Sequence, residues 1–122
     1  MDLNSLTEAV IGAAYEVSNV LGAGFLEKLY ERALVRELTL RGIAVQSQAA
    51  FAVSYKDQPI GEYVADLVVE GCLLIELKCV DRLGPIHLAQ SLNYLKASGL
   101  TLALLLNFQR TKVECKRVIR NS

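Results

Sequence analysis

The sequence predicts an α/β fold in which helices flank a mixed β-sheet. Two segments with helical spacing of apolar residues come first, and three extended segments joined by short turns follow them. A further helical segment and two more extended segments complete the chain. Since a strand that returns through a crossover helix runs parallel to its neighbour, while hairpins are antiparallel, this order of elements predicts a mixed sheet.

Length and composition indicate a single domain over residues 1–122. The chain has 13 basic and 13 acidic side chains, 52% apolar residues and 21% charged residues. A chain of this length buries enough surface to fold without disulfides or metals, and its apolar content excludes disorder over the whole length. The net charge of zero excludes a strongly basic coating protein, so any contact with nucleic acid must come from a local patch.

The cysteines and the N-terminus point to a cytoplasmic protein. Cys72, Cys79 and Cys115 are odd in number and lack C-x-x-C spacing, which argues against a disulfide framework and against a zinc site. The N-terminus has no basic region before an apolar run. The longest apolar run, residues 102–106, is far shorter than the ~20 residues that cross a bilayer, so no membrane partner is expected.

Two helices are predicted before the sheet. Ser5-Leu6-Thr7-Glu8 has the spacing of a capping box, and apolar residues then recur at helical intervals up to Gly22, so the first helix spans about residues 5–21. The same period resumes after a glycine-containing break and stops at Gly42, so the second helix spans about residues 25–41.

Three strands follow, joined by two turns. The extended segments are residues 51–55, 60–69 and 72–79, with turns at Lys56-Asp57-Gln58-Pro59 and Glu70-Gly71. Because side chains alternate along a strand, Glu76 and Lys78 share one face of the third strand with Leu74.

The last third of the chain predicts a helix and two strands. Gly84-Pro85 suits a helix start, Gly99 suits its end, and its apolar stripe consists of Leu88, Leu92 and Leu95. Residues 100–108 then form a buried strand and residues 113–119 an edge strand. The basic residues of this tail are Arg110, Lys112, Lys116, Arg117 and Arg120.

The candidate site combines Asp66 on the second strand with Glu76 and Lys78 on the third. A three-residue loop would set Asp66 opposite Glu76, whereas a two-residue loop would set it opposite Ile75. Adjacent carboxylates repel unless a cation lies between them, so a hard divalent ion is expected, magnesium first and manganese second. Lys78 would then orient or deprotonate an attacking water while the metal stabilises negative charge on a phosphate.

A solvated strand face with a cross-strand partner is the plain alternative for these charges. Against it, the third strand is otherwise apolar, and an idle charge pair on a central strand would be costly to cover.

Two helices offer further polar groups. Glu27 lies at the margin of the buried face of the second helix, with Glu31 more outward, although an acid in the first turn is favoured by the helix dipole alone. His87, Gln90 and Tyr94 share a face opposite the leucines of the third helix, which suits hydrogen bonding to a phosphate or base and equally suits plain solvent exposure. His87 fits a residue at the helix start better than a ligand.

Three motifs in the expected order resemble a known family. Gly24-Phe25-Leu26-Glu27-Lys28-Leu29-Tyr30 resembles the motif of the GxxExxY protein family. Asp66 followed by Glu76-Leu77-Lys78 is similar to the core of the PD-(D/E)XK nuclease superfamily, to which that family is assigned. Gln90-Ser91-Leu92-Asn93-Tyr94 resembles the Q-x-x-x-Y element of its RecB-like branch, and the resemblance spans about residues 5–119.

The resemblance implies a PD-(D/E)XK nuclease-like core, a bound magnesium ion and a set of site residues. The implied catalytic residues are Asp66, Glu76 and Lys78; the implied metal ligands are Glu27, Asp66, Glu76 and the carbonyl of Leu77; the implied substrate-binding residues are Gln90, Tyr94 and Tyr30. The expected function is a metal-dependent nuclease that hydrolyses DNA phosphodiester bonds with a metal-activated water. The alternative is a non-catalytic nucleic-acid-binding or complex-subunit module that retains the nuclease fold. DNA is the expected partner, and the sequence leaves open a homodimer or a larger protein complex.

Overall fold

The computed structural model describes residues 1–121, in which three helices and five strands form one mixed sheet with helices on both faces. In chain order the elements are α1 (Leu3–Leu21), α2 (Glu27–Leu40), β1 (Val45–Tyr55), β2 (Gln58–Val69), β3 (Leu73–Lys78), α3 (Pro85–Ser98), β4 (Leu102–Asn107) and β5 (Glu114–Ile119). The strand order is β1-β2-β3-β4-β5. The β3–β4 pair is parallel and the other pairs are antiparallel, which confirms the predicted mixed sheet with helix α3 as the crossover.

The ends of the helices follow from local chemistry. Asp2 caps α1, since its carboxylate accepts the Ser5 backbone N–H at 2.8 Å, so the capping box predicted at Ser5 is wrong and Ser5 lies inside the helix. Helix α2 begins at Glu27 and ends just before Gly42, whose φ of 75° is the left-handed conformation expected of a terminating glycine. Gly84 precedes Pro85 at the start of α3, as predicted.

Apolar side chains cover both faces of the sheet. Helices α1 and α2 cover one face, and α3 covers the other. The first face is built from residues such as Leu6, Val10, Leu34, Leu38, Leu67, Ile75, Leu77 and Leu104, and the second from Ala65, Val68, Leu74, Leu95, Ala103 and Leu105. The central strands β3 and β4 are therefore buried on both sides, which explains why they are almost continuously apolar.

The face that α3 turns to the sheet differs from the predicted stripe. Leu95 is fully buried and Ser91 with it, whereas Leu92 is 39% exposed. The row against the sheet is Leu88, Ser91 and Leu95, at spacings of three and four, so Leu92 lies outside it. Tyr94 lies beside this row and contacts the sheet, rather than facing away from it.

The turns between the first three strands set the register. Lys56 and Asp57, with φ values of 47° and 65°, form a two-residue turn, so β2 begins at Gln58, earlier than predicted. A three-residue loop, residues 70–72, joins β2 to β3 and pairs Val69 with Leu73. This is the register that the candidate site requires.

None of the helices among residues 1–121 combines the length and the hydropathy needed to cross a bilayer.

Candidate functional site

Asp66 lies where β2 separates from β3. The ladder between these strands pairs only Leu67 with Ile75, Val68 with Leu74 and Val69 with Leu73. One residue further along, Oδ2 of Asp66 accepts the backbone N–H of Leu77 at 2.9 Å. A side-chain oxygen therefore takes the place of the next ladder acceptor and fixes the Asp66 carboxylate at the edge of β3.

At Asp66 the alternation of side chains between the two faces of the sheet is reversed. Leu67 belongs to the cluster under α1 and α2, whereas Ala65 belongs to the cluster under α3. Residues two apart in a regular strand share a face, so the alternation is reversed between them. On β1 the matching position is Gln48, whose φ of 56° is left-handed. The flanking register is regular, with Ser47 opposite Leu67 and Ala49 opposite Ala65.

Glu76 is a buried carboxylate beside Asp66. It is 5% exposed, and Oε1 accepts a hydrogen bond from the Tyr63 hydroxyl. Burial is the largest cause that raises the pKa of Glu76 from 4.5 to about 8, and the charge of Asp66 raises it further. Of the two registers that the sequence left open, the structure has the one that brings the two carboxylates together.

Tyr63 is a site residue that the sequence did not reveal. Its ring stacks on Tyr94 of α3 with centroids 3.8 Å apart and planes at 8°. Burial, and then the hydrogen bond to Glu76, raise the pKa of the Tyr63 hydroxyl. Regular alternation would place Tyr63 and Val68 on opposite faces, so only the reversal at Asp66 could have indicated its position.

Lys78 and Glu27 border this carboxylate pair. Lys78 is half-buried and follows Glu76 by two residues, on the same face of β3. Glu27 begins α2 and is exposed. Burial raises the pKa of Glu27 most, the charge of Asp66 raises it further, and the charge of Lys78 lowers it. These residues are therefore near enough to influence one another electrostatically.

The backbone of Leu77 faces the opening between β2 and β3. Its N–H points to Asp66, and the N–H and C=O of a strand residue lie on the same edge of the strand. The carbonyl of the following residue, Lys78, accepts the N–H of Phe108 on the opposite edge. The Leu77 carbonyl is therefore directed toward the opening that Asp66 borders.

The donor set fits a hard divalent ion that retains water ligands. Among residues 1–121, no group of three or more His, Cys, Asp and Glu side chains is placed to hold a metal ion. Magnesium, however, is commonly bound through one or two carboxylates. The adjacent carboxylates of Asp66 and Glu76 and the carbonyl of Leu77 supply oxygen ligands, and a cation between the carboxylates would relieve their repulsion.

Two expectations for α2 are corrected. Its buried carboxylate is Glu31, which is 4% exposed, whereas Glu27 is the more exposed of the two. Tyr30 is 1% exposed, donates its hydroxyl to the Gly22 carbonyl at 2.5 Å and accepts the Phe25 N–H at 3.2 Å. Tyr30 therefore holds the turn between α1 and α2 and has no surface for a substrate, because both its ring and its hydroxyl are occupied inside the fold.

The polar residues of α3 divide into two groups. Nδ1 of His87 accepts the Gly84 N–H at 2.9 Å, so His87 caps the helix. Gln90 and Tyr94 are half-buried one turn apart, and the Tyr94 ring reaches the site through Tyr63. Burial, followed by the charges of Glu76 and Asp66, raises the pKa of Tyr94.

Comparison with known proteins identifies the family and similar folds. The sequence profile of the PD-(D/E)XK nuclease superfamily matches residues 4–118. The fold is similar to the crystal structure of an alkaline exonuclease (LHK-Exo) from Laribacter hongkongensis, with a TM-score of 0.53 and 14% identity over 93% of this chain and 82% of that chain. The crystal structure of LHK-Exo in complex with dAMP gives a TM-score of 0.54 and 13% identity over 94% and 83%. No curated protein sequence matches the chain significantly.

Proposed function

The chain belongs to the PD-(D/E)XK nuclease superfamily, and from this premise we propose that it is a metal-dependent nuclease that hydrolyses DNA phosphodiester bonds. The observation that carries the proposal is the adjacent pair Asp66 and Glu76, followed by Lys78, where β2 separates from β3. A buried carboxylate beside a second, half-buried one is costly for the free protein, and a divalent cation would remove much of that cost.

We also propose the finer assignment to the GxxExxY family and to the RecB-like branch, as a single cytoplasmic domain. The three motifs support it by their order along the chain and by their places on α2, on β2 with β3, and on α3. Tyr30 of the first motif would then serve the fold, because it fixes the turn that leads to Glu27.

The metal ligands in this proposal are Asp66, Glu76 and the Leu77 carbonyl, with Glu27 added from α2. Magnesium is the first choice and manganese the second. A divalent ion bound there supplies positive charge to the phosphate and lowers the pKa of a water molecule. The Leu77 N–H holds Asp66, and the Tyr63 hydroxyl orients Glu76, so both carboxylates are fixed before the substrate binds.

Lys78 and α3 serve the substrate. The ammonium group of Lys78, on the same face as Glu76, orients the attacking water in line with the leaving oxygen and balances charge on the phosphate. Gln90 and Tyr94 would line the DNA side of the carboxylates, where an amide and a phenol can bind a phosphate or a base; the stacking of Tyr94 on Tyr63 supports this for Tyr94.

The second candidate function is a nucleic-acid-binding module or a complex subunit without catalysis. Two observations favour it: among residues 1–121 no group of three or more His, Cys, Asp and Glu side chains is placed to hold a metal ion, and the chain carries no net positive charge. In this case the site would bind a cation or nucleic acid and would not catalyse cleavage, because a protein can retain a fold without the activity found in its relatives.

Metal titration combined with a cleavage assay tests the proposal. Magnesium and manganese are titrated by calorimetry into the wild type, Asp66→Asn, Lys78→Ala and the control Asp57→Asn, and the same samples are incubated with plasmid and single-stranded DNA. Asp57 lies in the turn between β1 and β2, and asparagine tolerates its left-handed conformation, so this control leaves the site intact.

We expect Asp66→Asn to lose both metal binding and cleavage, Lys78→Ala to lose cleavage alone, and Asp57→Asn to match the wild type. Metal binding by the wild type without cleavage would favour the non-catalytic module. Absence of metal binding by the wild type would contradict the proposed metal dependence.

A further inference from the structure

Glu31 is a buried carboxylate that the proposed reaction does not use. Oε2 accepts hydrogen bonds from Lys28 Nζ at 3.0 Å and from Ser47 Oγ at 3.3 Å. Gln48 Nε2 donates to Oε1 at 3.0 Å and to Oε2 at 3.2 Å. Only Lys28 belongs to the same helix, so the other contacts tie α2 to β1. A charge with 4% exposure needs such partners, because burial without them is strongly unfavourable.

Gln48 holds a backbone conformation that most residues avoid. Its φ of 56° is left-handed, in the middle of β1, where no turn requires it. Ser47 and Gln48 both reach Glu31, although consecutive residues of a regular strand point to opposite faces. The reversal of β1 therefore occurs at the residue that Glu31 holds.

The reversal on β2 occurs directly across from Gln48. The ladder pairs Ser47 with Leu67 and Ala49 with Ala65, and the pair between them would be Gln48 with Asp66. Asp66 is absent from the ladder to β3 as well, and its carboxylate instead accepts the Leu77 N–H. The strained position on β1 and the proposed metal ligand on β2 are thus two sides of a single irregularity in the hairpin.

We propose that the contact between Glu31 and Gln48, here called the α2–β1 clamp, positions Asp66 for metal binding. The clamp keeps Gln48 left-handed, so that the hairpin reverses its faces at this point and Asp66 reaches the edge of β3. Without the clamp the hairpin is free to return to regular alternation, and Asp66 loses the Leu77 N–H. Glu31 and Gln48 are positioning residues in this account, and their role in metal binding rests on the function proposed above.

The test uses Gln48→Ala and Glu31→Gln, with Glu37→Gln as the matched control. Alanine disfavours a positive φ as glutamine does, and Gln48 is exposed, so Gln48→Ala removes the amide without burying a new group and leaves the left-handed conformation without its clamp. Glu31→Gln keeps the size of the side chain and removes its charge. Glu37 pairs with Arg41 on the same helix at 2.7 Å, away from β1, so its substitution removes an ion pair and leaves the clamp.

Three readouts are recorded for each variant: the hydrogen-exchange protection of the Leu77 amide by NMR in metal-free protein, the magnesium affinity by calorimetry, and Tm. We expect both clamp variants to lower the Leu77 protection about ten-fold relative to the amides of β4, because the local opening becomes easier. We expect magnesium affinity to fall about ten-fold, as is typical when a residue behind a metal ligand is lost. Glu37→Gln should change neither quantity.

Protection of Leu77 and magnesium affinity equal to those of the wild type in Gln48→Ala would overturn the proposal, whatever the fate of Glu31→Gln. Loss of protection with unchanged magnesium affinity would also overturn it, since the clamp would then shape the hairpin only. If the wild type binds no magnesium, the proposed function fails. The Leu77 readout still decides, in that case, whether the clamp holds Asp66 against β3.

Discussion

At the scale of single residues, the pairing of Asp66 with Glu76 carries both the proposed chemistry and a cost to the free protein. Burial and the charge of Asp66 raise the pKa of Glu76 to about 8 from an ordinary 4.5. A carboxyl group with a raised pKa in the folded state stabilises the fold only while it is protonated. This contribution is fully present below pH 4.5 and is lost as the pH rises through 8.

Glu76→Gln should therefore stabilise the metal-free protein at pH 9 and leave its stability nearly unchanged at pH 4.5, because glutamine stays neutral and still accepts the Tyr63 hydroxyl. Tm measured by calorimetry at both pH values, without divalent ions, checks this. Glu62→Gln on the exposed part of β2 is the control and should show no such difference. Equal effects of Glu76→Gln at the two pH values would contradict the buried position of this charge.

The sequence predicts residues whose positions follow from regular alternation and misses those that depend on an irregularity. Alternation placed Glu76 and Lys78 on one face of β3, but the sequence left Asp66 opposite either Glu76 or Ile75, and the structure has the three-residue loop that sets it level with Glu76. Tyr63 could not be placed, since its face is set by the reversal at Asp66. The prediction that Glu31 lies further outward than Glu27 on α2 was also wrong. The partners of Glu31 come from β1, and helical spacing carries no information about that strand.

At the scale of the elements, α3 shows how far periodicity alone can go. The bounds were predictable from Gly84, Pro85 and Gly99, whose backbone preferences act locally. The buried face of α3 was not predictable. Helical spacing allows a stripe of Leu88, Leu92 and Leu95 as well as a stripe of Leu88, Ser91 and Leu95. The sheet beneath the helix decides between them, and it brings Tyr94 onto Tyr63.

Two substitutions on α3 separate these faces. Leu95→Ala should lower the free energy of unfolding by about 2–5 kcal/mol, because it leaves a cavity against the sheet. Leu92→Ala should lower it by less than about 1 kcal/mol, because Leu92 is 39% exposed and lies outside the row packed against the sheet. Urea unfolding of both variants measures the difference. A larger loss for Leu92→Ala would restore the stripe expected from the sequence and contradict the packing described for α3.

Periodicity also failed to predict the first half of β1. The sequence predicts a strand only over residues 51–55, whereas β1 begins at Val45. The missing part contains Gln48, at which the two faces of the strand are exchanged, so its apolar residues do not alternate. A segment of this kind has no periodic pattern to detect, although its partner strand is regular on either side of the reversal.

At the scale of the whole molecule, the crossover order predicted the mixed sheet, because a hairpin and a helical crossover leave few arrangements for the strands. The distribution of charge was harder to predict. Lys116 lies opposite Leu105, which lies opposite Glu76, so these residues form one row on the α3 face. Arg117 lies opposite Leu104 on the other face. The basic tail is therefore divided between the two faces of the sheet.

This division predicts unequal effects on DNA binding. Lys116→Glu should weaken binding and reduce the slope of affinity against salt concentration by about one or more, since Lys116 lies on the same face as the carboxylate pair. Arg117→Glu should change both quantities less. Binding isotherms at several salt concentrations, measured with calcium in place of magnesium, compare the two variants. Equal effects, or none, would contradict a DNA path along the α3 face.

The most direct test of the account is the position of a divalent ion in the protein. Crystals grown with manganese and measured at its absorption edge would locate the ion by anomalous scattering. We predict a peak between the carboxylates of Asp66 and Glu76, beside the Leu77 carbonyl, that is lost in Asp66→Asn. An ion bound elsewhere, or no bound ion in crystals of protein that cleaves DNA with manganese, would contradict the central claim.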